Sequence, residues 1–102
     1  MVYKIFSLYD SAVGAYNVPM FLRSRGEAIR SFQAAANEGD SNISKWPDQY
    51  TLFEIGTYDD ASARVEMYAA PESLGTALQY KDQPKSELPL EAAVRLAKGK
   101  AN

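Results

Sequence analysis

Tyrosine and arginine are the residues here whose types and spacing offer chemistry. Tyr3-Lys4-Ile5-Phe6-Ser7-Leu8, followed by Tyr9-Asp10, is echoed by Tyr50-Thr51-Leu52-Phe53-Glu54-Ile55, which reaches Tyr58-Asp59-Asp60 after Gly56-Thr57. With Tyr16 and Tyr68, the chain carries more tyrosine than a small core needs. A ring left at a surface stacks on flat partners; unpaired nucleobases are the usual ones, at about 1–3 kcal/mol per stack. Tyr3, Tyr16, Tyr50, Tyr58 and Tyr68 are candidates for that role, as is Trp46 beside Pro47. The plainer reading is that tyrosine suits strands and half-buried packing, and that Trp46 plugs a core edge.

The matching cations are Arg23, Arg25, Arg30 and Lys45, with Lys4 as a possible neighbour. Ser24 marks a helix start, where free amides and the positive dipole end favour an anion. Arg25 falls in the first turn and Arg30 about one turn later, so both can address one phosphate. The alternative is a solvated helix face with a Glu27–Arg30 pair three residues apart. Asp59-Asp60, near Asp48 or Asp10, has metal-ligand types, yet adjacent aspartates in a hairpin turn usually hydrogen-bond the local backbone. No metal site and no cofactor is expected.

Composition narrows the function classes. The chain has no histidine and no cysteine. It therefore lacks the commonest general base near neutral pH, the commonest transition-metal ligand, and any disulfide or thiolate site. We expect a binding protein rather than an enzyme, in a reducing cytoplasm. No run approaches the ~20 apolar residues of a membrane helix, the N-terminus has no apolar leader, and no membrane partner is expected. The net charge of −2 is uneven: residues 1–80 hold six basic and ten acidic side chains, and residues 81–102 hold five basic and three acidic. A body of −4 does not attract DNA through bulk charge, so a nucleic-acid site must be a local patch.

These side chains are positioned by a short series of elements. Residues 2–9 read as a strand, Asp10 to Gly14 as a turn, and Ala15 to about Val18 as a return strand, with Pro19 limiting it to an edge or an end. Ser24 with Glu27 forms a capping-box pattern, and Ala28, Ile29, Phe32, Ala35 and Ala36 recur at helical spacing until Asn37 and Gly39. Residues 40–49 read as a polar connector. A second hairpin runs from Tyr50 to about Tyr58, turns at Asp59-Asp60-Ala61-Ser62 and returns from Ala63 to Ala69. Pro71 ends that strand, and Glu72 to Leu78 reads as a short helix weakened by Gly75. Lys81 to Glu87 reads as a flexible linker, and Pro89 opens a final helix containing Val94, Leu96 and Ala97. Lys81, Lys85, Arg95, Lys98 and Lys100 either add phosphate contacts or solubilise that end.

The expected architecture is α+β: a small antiparallel sheet of two hairpins (ββ-α-ββ), one main helix and a C-terminal helical tail. The expected division is a domain over residues 1–80 and a linker with helical tail over 81–102. Tyr3, Ile5 and Tyr9 alternate with Phe6 and Leu8; Tyr50, Leu52 and Tyr58 alternate with Phe53 and Ile55. Both faces are therefore apolar, and one helix covers only one of them. The other must bind a ligand, receive the tail or meet a second copy, and a homodimer is expected.

The order of motifs resembles the small nonstructural protein of gokushoviruses, the single-stranded DNA microviruses. The resemblance is carried by Tyr3 to Asp10, by Gly14-Ala15-Tyr16-Asn17-Val18-Pro19-Met20-Phe21, and by Gly26-Glu27-Ala28-Ile29-Arg30-Ser31-Phe32. It continues through Ile43 to Tyr50, Leu52 to Asp59 and Leu74-Gly75-Thr76-Ala77-Leu78, spanning roughly residues 3–80. Trp46 departs from that family's pattern. The resemblance implies a nonstructural phage protein made in the host bacterial cytoplasm and absent from the virion. It further implies single-stranded DNA as partner, other phage proteins as possible partners, and a part in genome replication or the switch to single-strand synthesis and packaging. No residue-level site comes with it. The rival reading is a protein-interaction or assembly module whose second sheet face is a homo-oligomer or partner interface.

Overall fold

A computed structural model describes residues 1–81; the expected linker beyond Lys81 and the helix opened by Pro89 lie outside the described residues. Strand β1 (Val2–Asp10) runs through the sheet as its aromatic and β-branched residues lead one to expect. The Asp10 carboxylate accepts from the Ala12 amide at 3.0 Å, and Gly14 takes φ 69° to close the turn. The return is divided into β2 (Ala15–Tyr16) and β3 (Met20–Leu22), both pairing with β1. Asn17 to Pro19 separates them. The Asn17 amide donates to the Leu8 carbonyl at 2.7 Å and its carbonyl accepts from the Ser7 hydroxyl at 2.7 Å. Pro19 has no amide to give a ladder, so the strand resumes only after it.

Helix α1 (Arg25–Ala36) starts where expected: the Ser24 hydroxyl accepts from the Glu27 amide at 3.2 Å. Its stripe of Ala28, Phe32 and Ala36 is buried, and Asn37 caps its end. The polar connector carries more structure than its composition suggests. Ser41 caps a single turn, α2 (Asn42–Lys45), and Pro47 opens a 3-10 turn to Gln49. Lys81, expected among the cations of the tail, donates to the Ser44 carbonyl at 2.6 Å and its hydroxyl at 3.1 Å.

Strands β4 (Tyr50–Asp59) and β5 (Arg64–Thr76) form the second hairpin, with the Asp59 carboxylate accepting from the Ala61 amide at 2.9 Å. Pro71 does not end β5, contrary to expectation, and the short helix is α3 (Ala77–Tyr80) rather than residues 72–78. The register explains both. Met67 pairs with Gly56 and Glu72 pairs with Glu54, so Tyr68 to Pro71 leave the ladder opposite Ile55. A proline in such an irregularity on an edge strand forfeits no ladder bond.

The result is an antiparallel, curled sheet in the order β2-β1-β4-β5, with β3 beside β2 on β1, which is the α+β class expected. A bulge shifts the β1–β4 register: Phe6 pairs with Glu54 but Ile5 pairs with Gly56. The extra residue inverts alternation within β4. Tyr50, Leu52 and Glu54 face α1, whereas Tyr58 joins Tyr3 on the opposite face. The expectation that Tyr50, Leu52 and Tyr58 share a face is therefore corrected. The core lies on the helix side, where Phe6, Tyr50 and Leu52 meet Ala28, Phe32, Ala36 and Ala77, with Leu8, Met20 and Leu22 around them.

Candidate functional site

The face opposite α1 collects rings from four strands. Strand pairing sets Tyr3 beside Tyr58, and Phe21 stands edge-on to Tyr58 at 5.7 Å between centroids. Tyr3 and Tyr58 are 6.3 Å apart and tilted. These rings, with Asp60 and Val65, line an apolar recess of about 460 Å³. Farther along, Tyr9, Tyr16 and Phe53 form a second group, with Tyr9–Tyr16 at 4.9 Å and Tyr16–Phe53 at 5.6 Å. Tyr16 also borders a neighbouring recess of about 310 Å³ that includes Ile55 and Met67. Phe21, Val65 and Met67 are 49%, 51% and 59% exposed, so this apolar surface is open to solvent. At its rim the Asp60 carboxylate is held by the Met1 ammonium at 2.7 Å. Arg23 is exposed two residues past Phe21.

A second constellation sits on the helix side. Glu54 is only 2% exposed, a costly place for a carboxylate unless its oxygens are satisfied. Its Oε1 accepts from Arg25 Nε at 2.9 Å. Its Oε2 accepts from the Tyr68 hydroxyl at 2.5 Å and from Lys4 Nζ at 3.4 Å. Burial alone would push this carboxyl up, but the hydrogen bonds from Tyr68 and Arg25 and the Lys4 charge outweigh it and hold it below its usual range. The Tyr68 phenol, hydrogen-bonded to Glu54, is pushed up to about 12. Arg25 also reaches Glu72, with Nη2–Oε2 at 2.6 Å. The network ties β1, α1, β4 and β5 together.

The residues singled out from sequence therefore divide between sites. Tyr3, Tyr16 and Tyr58 lie on the open ring face, and Arg23 is exposed immediately past the end of β3. Tyr50 is 9% exposed and belongs to the core, where burial raises its phenol and Asp10 adds to the effect. Arg25 is held by Glu54, and so is the Tyr68 hydroxyl, while the Tyr68 side chain also lines the recess of about 310 Å³ with Tyr16. Arg30 is exposed on α1, and Lys45 and Trp46 are exposed at the end of α2, which packs against α1. Trp46 is 56% exposed, so it does not plug a core edge. Phe21, Phe53, Val65 and Met67 complete the ring face and were not singled out. Phe21 had a usable signal, since an aromatic just past an edge-limiting proline is placed to cap a sheet face. Among the described residues, no group of three acidic side chains is arranged to hold a metal ion, and no helix is long and apolar enough to cross a membrane.

No curated protein and no solved structure matches the chain. A family model described as "Phage ORF5 protein" matches residues 3–80, a span that takes in both ring groups and the Glu54 network. The chain belongs to the Phage ORF5 protein family.

Proposed function

We propose that this phage protein is a non-enzymatic, sequence-tolerant single-stranded DNA-binding accessory factor. It acts in the host cytoplasm in viral genome replication or in the switch to single-strand synthesis and packaging. The observation that carries the reading is the open face of Tyr3, Phe21 and Tyr58, continued by Tyr9, Tyr16 and Phe53. Every base offers a π-face, so such a surface binds unpaired bases without reading their order. Arg23, just past the end of β3, supplies phosphate contact. Arg30, Lys45 and Trp46 form a secondary region that a longer strand reaches by passing around the domain. Arg25 stays with Glu54 and Glu72, and Tyr50 stays in the core.

The test is fluorescence anisotropy with labelled single-stranded and duplex oligonucleotides at about 50 and 200 mM salt. Salt-sensitive binding that favours the single strand, and that weakens about tenfold in Tyr58→Ala, is expected. No binding at micromolar protein would overturn the reading in favour of a protein-interaction surface. That rival has its own support in Asp60, an acidic side chain that lines the recess and already engages the Met1 ammonium.

A further inference from the structure

Among the described residues β5 is the last strand of the sheet, and its outer edge is open. Arg64, Val65, Glu66 and Met67 are all exposed, and they form the regular part of β5 before the ladder breaks at Tyr68. Edge strands usually carry a device against self-pairing, such as a proline, a bulge or an inward-pointing charge. Residues 64–67 contain no proline and no bulge; their one such device is the charge of Arg64 and Glu66, which alternates with apolar side chains. Pairing sets Val65 beside Tyr58 on the ring face and Glu66 beside Thr57 on the other. Arg64 and Glu66 are 73% and 68% exposed, and their mutual contact is a loose 3.8 Å. Both retain capacity for another partner.

We infer that the edge of β5 pairs antiparallel with β5 of a second copy about a two-fold axis through Val65. Direct opposition of like charges across a strand pair is unfavourable, and opposition of unlike charges is favourable. A two-fold axis at Arg64 sets arginine against arginine, and one at Glu66 sets glutamate against glutamate. The axis at Val65 places Arg64 of each copy opposite Glu66 of the other, twice, with Val65 against Val65. The contact is isologous, as a closed dimer requires. It joins five strands from each copy into one sheet and brings the two recesses lined by Tyr3, Phe21, Tyr58 and Val65 side by side. The irregularity at Tyr68 to Pro71 keeps the paired stretch short, so the dimer is modest and concentration-dependent. The inference is independent of whether the ring face binds DNA.

The test uses the full chain and light scattering over a concentration series. The unmodified chain dimerises as concentration rises. Arg64→Glu and Glu66→Arg each dimerise at least about tenfold more weakly, because each sets like charges across the axis. An equimolar mixture of the two regains dimer, because both cross-axis pairs are again unlike, and so does the double variant Arg64→Glu/Glu66→Arg. The chain has no cysteine, so Val65→Cys provides an independent readout of register. Directly opposed strand residues fall within disulfide reach. Under mild oxidation Val65→Cys forms a covalent dimer, whereas Met67→Cys, displaced four residues from its own copy or roughly 13 Å, does not. A chain monomeric at all concentrations, single variants that do not rescue each other, or equal cross-linking at the two positions would each overturn the inference.

Discussion

Glu54 of β4 is where side chains from β1, α1 and β5 converge. Removing the Tyr68 hydroxyl takes away a charge-assisted hydrogen bond while leaving the ring. Tyr68→Phe should lower stability by about 1.5–3 kcal/mol, or roughly 4–8 °C of melting temperature per kcal/mol in a domain this size. The pH dependence follows from the same contacts. Because the folded-state carboxyl is held below its ordinary 4.5, its contribution is fully present above that value and is lost as pH falls through the lower folded value. Acid melts should show this loss as pH falls below 4.5, and Glu54→Gln should flatten it; an unchanged acid limb would mean the network is not what protects the fold. None of this was visible in the local sequence. Glu54 sits in an aromatic strand as an ordinary polar alternation, and Arg25 reads as an anion ligand because it opens a helix. Only the strand register shows that the anion Arg25 serves is the protein's own.

At the scale of elements, what is encoded within a few residues was legible and what depends on pairing was not. The Ser24 cap, the Asp10 and Asp59 turns and the stripe of α1 are local arrangements, and each appears where the sequence places it. The bulge opposite Ile5 and Phe6 and the irregularity at Tyr68 to Pro71 are agreements between strands, which neither strand sets alone. Gly56 marks the first of them. A Cβ there would strike the Glu66 carbonyl and crowd the Met67 backbone, neither of which can swing aside. Gly56→Ala should therefore cost about 1–3 kcal/mol through backbone displacement, as read from a denaturation midpoint. Loss of β4–β5 amide protection before the rest of the sheet would place the strain at that crossing. For comparison, Phe32→Ala in the buried stripe should cost about 3–5 kcal/mol.

For the molecule as a whole, the sheet divides its surface into a ring side and a helix side, and the candidate DNA-binding residues fall on both. The sequence made the unused apolar face legible, since alternation gave two apolar sides and only one helix to cover them. It did not separate the cations from the rings, because that depends on where α1 lies relative to the bulge. The two sides make separable predictions for binding. Tyr58→Ala should weaken single-strand affinity about tenfold with little change in salt dependence. Arg30→Ala/Lys45→Ala should reduce the salt slope by up to about two and spare affinity at high salt. The reverse pattern would move the site to the helix side.

Trp46 turns this division into an optical signal. It is the single tryptophan of the chain, just over half exposed and next to Lys45, at the end of the turn that packs against α1. Its emission should be that of a water-facing indole, and it needs no label. A strand confined to the ring face leaves that emission unchanged even at saturation, while one that wraps onto the helix side quenches or shifts it. The length of oligonucleotide at which quenching begins would then measure, in nucleotides, the path from one side of the protein to the other.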